Sequence, residues 1–176
     1  GEGWLKNFKH FEVKPFAAAS IGQVHKATLK SGEIVAIKVQ FPGVRQSIEN
    51  DLGSLKFIMK TSGMLPANFP LDYYISQCGD LLKRETDYEL EARNIYRFSE
   101  FLRSNDNLNV PKVYNELSTE QTLTMSFFEG RELSSNIAYD QSLINDISLS
   151  LIELLLNEIF NFKLVQTDPN LANFLL

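Results

Sequence analysis

One lysine in an apolar strand limits what this chain can fold into more than any other feature. The run Val35-Ala36-Ile37-Lys38-Val39-Gln40-Phe41 is largely apolar yet carries an ammonium near its centre. Burying an unpaired charge is strongly disfavoured, so the fold must either turn Lys38 to solvent or bring an anion to it. The surroundings suit a sheet. Strand signals fall at 11–16, 23–30 and 33–40, and Ser31-Gly32 joins the last two as a two-residue connection suited to a tight hairpin. Pro42-Gly43 breaks the pattern, after which Val44, Ile48, Leu52, Leu55 and Met59 predict a helix over 44–60. Residues 63–70, with two prolines and a glycine, read as a loop, and a long helical pattern then covers 71–102. Strand signals return at 109–117 and 120–127. A helical pattern at 140–162, apolar on nearly all sides, reads as a buried helix.

Composition narrows the function. The 176 residues are 44% apolar, enough for one domain with a substantial core or for two small lobes. A net charge of −5 with no basic block counts against a nucleic-acid partner. Cys78 is the only cysteine, which excludes an internal disulfide and any multi-cysteine metal site. His10 and His25 stand alone and read as ordinary strand or loop residues. No apolar run approaches the roughly 18 residues of a membrane span, and no signal peptide opens the chain. The start at Gly1, without Met, reads as the beginning of an excised segment, with 1–10 as a linker or the end of an earlier helix.

Several short words place chemistry on this frame. Ala17-Ala18-Ala19-Ser20-Ile21-Gly22-Gln23-Val24 can be laid on the protein-kinase phosphate-loop template G-x-G-x-x-G-x-V. Ala17, Ala19, Gly22 and Val24 take its four fixed positions, with alanine in place of the first two glycines. Alanine restricts the positive φ that glycine allows, so this loop should be stiffer and close less readily over a γ-phosphate. Val35-Ala36-Ile37-Lys38 matches the kinase word V-A-I-K letter for letter, where the lysine serves the α- and β-phosphates and pairs with a helix carboxylate. The acidic stretch Glu85-Thr86-Asp87-Tyr88-Glu89-Leu90-Glu91 is the one nearby source of that carboxylate. Asp87 and Glu91 share a helical face and Glu85 lies about 120° round from Glu91, which leaves the partner of Lys38 open.

Two more stretches complete the pattern. Leu123-Thr124-Met125-Ser126-Phe127-Phe128, ending in Glu129-Gly130, has the form of a strand leading into a hinge. On that map Met125 guards the back of an adenine pocket, and Ser126 C=O and Phe128 N–H meet the adenine edge. Near the end of the chain, Asp168 is followed five positions later by Asn173. Kinase catalytic loops use that spacing for an aspartate that accepts a hydroxyl proton and an asparagine that holds Mg²⁺.

Taken in order, the alanine loop, Val35-Ala36-Ile37-Lys38-Val39-Gln40-Phe41-Pro42-Gly43, the acidic run and Gln166-Thr167-Asp168-Pro169-Asn170 form a signature over nearly the whole chain. The chain resembles the UbiB family, the aarF-domain atypical kinases, and its Gln-Thr-Asp-Pro-Asn wording is similar to the mitochondrial coenzyme Q biosynthesis members. The resemblance implies an α+β, protein-kinase-like fold: an antiparallel-sheet N-lobe over 11–128 with an insertion at about 41–70, then a hinge and the start of a helical C-lobe over 129–176. It implies ATP or ADP with Mg²⁺ as cofactors, and a role in ubiquinone production at the matrix face of the mitochondrial inner membrane. Lipid or coenzyme Q intermediates and biosynthetic-complex proteins are the implied partners, with peripheral membrane contact in the full-length protein.

Residue by residue, the resemblance pairs Lys38 with Glu91 and makes Asp168 the catalytic-loop aspartate and Asn173 a metal ligand. It turns Glu85 and Asp87, the E-x-D motif, toward the place where a protein kinase takes its substrate. Neither D-F-G nor the family's K-x-G-Q word occurs in the chain, and the expectation is a segment of a longer protein. The leading reading is an atypical kinase or ATPase. The alternative is a non-catalytic, nucleotide-gated scaffold for a lipid-biosynthesis complex. An ordinary protein kinase fits poorly with Ala17, Ala19 and the E-x-D motif.

Overall fold

The computed structural model describes residues 3–19, 21–66, 68–133, 139–167 and 170–176. The chain forms two compact units, Gly1–Arg97 with Pro111–Phe127, and Phe98–Val110 with Phe128–Leu176.

The first unit is built on an antiparallel sheet of β1 (Phe8–Phe11), β2 (Ala17–Ala19), β3 (Gly22–Leu29), β4 (Ile34–Gln40) and β5 (Thr122–Ser126). The strand order is β1-β3-β4-β5, with β2 also paired to β3. The strand expected at 11–16 is instead an interruption between β1 and β2. Glu12 N–H donates to Lys26 O and Phe16 N–H to Val24 O, so Val13, Lys14 and Pro15 bulge out opposite His25. Pro15 has no N–H for the ladder, and Val13 stands in solvent at 82% exposure. Residues 4–7, read as linker or helix end, form a short 3₁₀ turn that leads directly into β1. Inside the closing Leu29–Glu33 pair the β3–β4 turn is three residues, Lys30-Ser31-Gly32, rather than two. Leu29 N–H donates to Glu33 O, and Gly32 takes φ +96°, the left-handed position such a turn requires.

Alternation along β4 divides the core. Val35 and Ile37 join Ala27, Leu29 and Tyr114 on one face, with Phe8, Phe11, Val39 and Leu117 packed around them. On the opposite face Tyr88, Val113 and Leu123 are buried together, supported by Ile21, Ala92 and Ile95. Lys38 and Gln40 are two residues apart and share this second face. The segment expected as a strand over 109–117 contributes Tyr114 N–H to Thr124 O and accepts Ser126 N–H at Lys112 O, then leaves the sheet as a 3₁₀ turn at Asn115–Leu117.

Helix α1 (Val44–Thr61) lies where helical spacing placed it, and it packs antiparallel against α2 (Leu71–Glu85). The pairs Lys56–Asp72 and Lys83–Glu49, at 2.8 and 2.9 Å, mark opposite ends of that contact. The single helix expected over 71–102 is two: α2 stops at Glu85 and α3 runs Tyr88–Phe101.

In the second unit, α4 (Gln141–Asn157) passes into a π turn, Glu158–Phe162, which ends at Lys163 in a left-handed conformation, φ 52°. Phe162 stacks on Phe101 with ring centroids 4.3 Å apart. The expected buried helix is not buried. Leu154 is the buried residue of α4, while Leu149, Ile152, Leu155 and Leu156 are about half exposed. Burial needs covering layers on several sides. Leu102 and Leu108 line one cleft together with Ser150, Leu154 and Asn157 of α4. Residues 131–133 and 174–176 form a short antiparallel ribbon, with Arg131 and Leu176 exchanging both backbone hydrogen bonds. No described helix is long and apolar enough to cross a membrane.

Candidate functional site

The lysine of β4 has found its anion. Lys38 Nζ donates to both carboxylate oxygens of Glu91, at 2.7 and 2.9 Å. Both side chains are partly exposed, so water screens the attraction and a ligand can still approach the ammonium. Beneath it lies the Tyr88 ring, 5.2 Å from Nζ and within cation–π range. Tyr88 is 2% exposed and its hydroxyl has no hydrogen-bond partner among the described residues. Burial pushes its phenol up to about 12, and the carboxylates of Glu91 and Glu85 add to the shift.

The break between α2 and α3 brings Glu91 to this place. In a continuous helix Leu90 N–H would donate to Thr86 O. Here Leu90 N–H donates to Asp87 Oδ1 at 2.8 Å, and Thr86 O accepts from Gln40 Nε2, also at 2.8 Å. One helical hydrogen bond is thus divided between two side chains. Thr86 adds its own stop signal, its Oγ1 donating to Lys83 O. Asp87 is therefore the cap of α3. Glu85, the other acid of the E-x-D motif, is the last residue of α2 and is exposed.

The alanine stretch is a strand. Ala17, Ala18 and Ala19 pair in register with Val24, Gln23 and Gly22 of β3. None of the three has a positive φ. Ala17 and Ala18 are exposed, and Ser20 lies outside the described residues. Gly22 is buried against β4, where an added Cβ would lie 2.2 Å from Val39 O. Val24 and Ala36 sit on adjacent strands, Val24 opposite Lys38 and Ala36 opposite Met125. At the strand end, Ser126 N–H goes to Lys112 O and Phe127 N–H to Ile34 O, so both donors are used inside the sheet. The Phe16 and Phe127 rings meet at right angles with centroids 5.5 Å apart. Phe128, 40% exposed, belongs to the second unit.

In the second unit Asn173 closes a 3₁₀ turn over Leu171–Asn173, which Asn170 caps by accepting Ala172 N–H. Asp168 and Pro169 lie outside the described residues. Gln166, shortly before them, donates its N–H to a carboxylate oxygen of Glu158 at 3.1 Å. Glu158 is 3% exposed and begins the π turn, so a buried acid holds the backbone at Gln166. No group of three or more His, Cys, Asp or Glu side chains suited to a metal occurs among the described residues.

Gln40, Tyr88 and Glu158 did not stand out in the sequence. Gln40 offered one signal, an amide two residues after Lys38 and therefore on the lysine's own face. Glu158 followed Asp146 and Glu153 as one more acid in an apolar run, and Tyr88 sat inside the acidic stretch.

The ABC1 atypical kinase-like domain model matches residues 1–176, the entire chain. The chain belongs to that family. The aarF-domain resemblance carried by the motifs is borne out. Among its relatives, the Caenorhabditis elegans protein named atypical kinase coq-8, mitochondrial, is 42% identical over 176 residues, covering 100% of this chain and 23% of that protein. The Saccharomyces cerevisiae atypical kinase COQ8, mitochondrial, is 43% identical over 175 residues, covering 99% of this chain and 35% of that protein. This ABC1-family chain thus spans about a quarter to a third of the length of those curated relatives. Among solved structures, the Rv3197–erythromycin complex from Mycobacterium tuberculosis matches with a TM-score of 0.84 at 28% identity, covering 100% of this chain and 45% of that one. The α+β, protein-kinase-like fold expected from the sequence is borne out.

Proposed function

We propose that this chain is the nucleotide-binding part of a mitochondrial atypical kinase-like ATPase that supports coenzyme Q biosynthesis. The observation that carries the reading is the Lys38–Glu91 pair, a half-buried ammonium gripped by two carboxylate oxygens beside a strand of small side chains. That donor set fits a polyphosphate. Glu91 holds Nζ in place, Nζ keeps a third proton to donate to an α- or β-phosphate oxygen, and Tyr88 supports it from below. Ala17, Ala18, Ala19 and Ser20 would lie along the phosphates, Gly22 and Val24 at the end of their hairpin, and Ala36 against the base. Met125, Ser126 C=O and Phe128 N–H would meet the adenine. Asp168 would act as the catalytic-loop aspartate, and Asn173 would offer its side-chain oxygen to Mg²⁺, which when bound neutralises phosphate charge.

The mitochondrial and coenzyme Q assignments rest on the names of the relatives, whereas the placement at the inner membrane's matrix face among lipid intermediates and complex partners rests on the motif resemblance alone. The second reading, a nucleotide-gated scaffold, is favoured by β2. Its alanines are tied into the sheet by regular pairing with β3 and are poorly placed to fold over a γ-phosphate.

Calorimetry on the full-length protein tests the proposal. Wild type should bind ADP and ATP with an affinity that rises with Mg²⁺. Lys38→Met should lose at least about tenfold at unchanged melting temperature, and Asn173→Ala should lose the Mg²⁺-dependent part. Binding by Lys38→Met equal to wild type would overturn the reading. Binding without turnover would select the scaffold.

A further inference from the structure

We infer that Gln40 is a positioning residue for the Lys38–Glu91 pair, acting through the break it makes between α2 and α3. A continuous helix would contain a Leu90 N–H to Thr86 O bond. Gln40 takes the acceptor of that bond and Asp87 takes its donor, at 2.8 Å each. Removing either diversion favours re-forming the helical bond, which would carry α2 straight on and swing Glu91 away from β4.

The Gln40 amide is well placed for this. It is 9% exposed, and the Thr86 it grips is 1% exposed, so neither group has water to fall back on. The same Nε2 lies 3.5 Å from Glu120 O, and Gln40 N–H donates to Gln121 O, which fixes the side chain's own backbone. Strand geometry supplies the rest. Lys38 and Gln40 project from one face of β4, so a single rigid strand holds α3 at two points, Thr86 just before its first turn and Glu91 at the end of that turn. Two attachments fix the direction of a helix where one would leave it free to pivot. The carboxylate then stands at the lysine independently of any ligand, and α3 does not serve as a swinging switch. Its value for phosphate binding rests on the nucleotide-lobe reading above; the geometry of the pair does not.

The test therefore reads the pair without nucleotide. In the full-length protein, Gln40→Met keeps the side chain's length but removes its donor. Hydrogen exchange at the Leu90 and Glu91 amides and acylation of Lys38 by an N-hydroxysuccinimide ester, followed by mass spectrometry, are compared with wild type. Lys38 acylation should rise about three- to tenfold, the size expected for losing one buried hydrogen bond, while the Leu90 and Glu91 amides stay protected in the re-formed helix and exchange in β3 stays unchanged. Gln40→Glu, whose ionised carboxylate would face the Thr86 and Glu120 carbonyls, should give a larger rise than Gln40→Met. If the Gln40 variants melt without a cooperative transition, Asp87→Ala opens the same break from its partly exposed side and should give the same local signature, with Asp87→Asn restoring wild-type values. Unchanged Lys38 acylation in these variants, or exchange that rises evenly through sheet and helix, would overturn the inference. Loss of nucleotide binding with this local signature intact would instead count against the proposed function alone.

Discussion

Gly22 has no room for a side chain, since a Cβ there would lie 2.2 Å from the Val39 carbonyl oxygen of the neighbouring strand. Backbone on both sides cannot yield as a flexible side chain would. Gly22→Ala should therefore destabilise the first unit by about 3 kcal/mol, measured as a shift in denaturation midpoint at constant m-value. Tyr88 gives a prediction of opposite kind. Its hydroxyl is buried without a partner among the described residues, so Tyr88→Phe should leave stability unchanged or raise it by about 1 kcal/mol. The linkage runs the same way. Its phenol is raised from 10.0 to about 12 in the folded state, so its contribution is complete below pH 10 and is lost as pH climbs through 12. Tyr114, raised to about 12 by burial and by its hydrogen bond to Glu33, behaves alike. Unfolding curves between pH 9 and about 11.5 should show a smaller alkaline loss for Tyr88→Phe than for wild type. At this scale the sequence was informative where chemistry is spelled in a word. Val-Ala-Ile-Lys announced the lysine, and the acidic run announced its partner. Gln40 was not legible because an amide at a strand end reads equally as a solvated residue, and only the helix break beside it reveals its task.

Elements were legible where period and punctuation agreed, as in α1, whose spacing from Val44 and stop near Lys60 match the structure to within a residue. They were misread where a tertiary contact competed with local pattern. The helix expected over 71–102 has helical spacing throughout, but Gln40, distant in sequence, takes the Thr86 carbonyl and divides it. The helix α4 was expected to be buried because hydrophobicity reports what a face prefers, not which neighbours cover it. The alanine hairpin carries the prediction at this scale. The extended pairing of Ala17–Ala19 with β3 demands no positive φ, so alanine suits it and stiffens it. Glycine at Ala17 or Ala19 would loosen the hairpin by about 0.5–1 kcal/mol of added chain entropy and let it close over a terminal phosphate. Both glycine variants of the full-length protein should shift preference from ADP toward ATP and raise autophosphorylation at fixed Mg²⁺. Unchanged affinity ratios and unchanged phosphoryl transfer would reduce these alanines to hairpin filling.

On the scale of the whole molecule, family membership rests on a match across all 176 residues, and the first unit supplies the physical content of that membership. A sheet with two distinct faces buries one apolar cluster on one side and, on the other, a second around Tyr88, Val113 and Leu123 beside Lys38, Gln40 and α3. The central claim is that Lys38 meets phosphate and that Glu91 acts only by holding Lys38. A double-mutant cycle on ADP affinity in the full-length protein, with Lys38→Ala, Glu91→Ala and the pair combined, tests it most directly. Each single change should weaken binding, and Glu91→Ala should cost nothing further once Lys38 is gone. Losses that add in the double mutant would contradict the claim, because Glu91 would then meet the ligand by a route of its own.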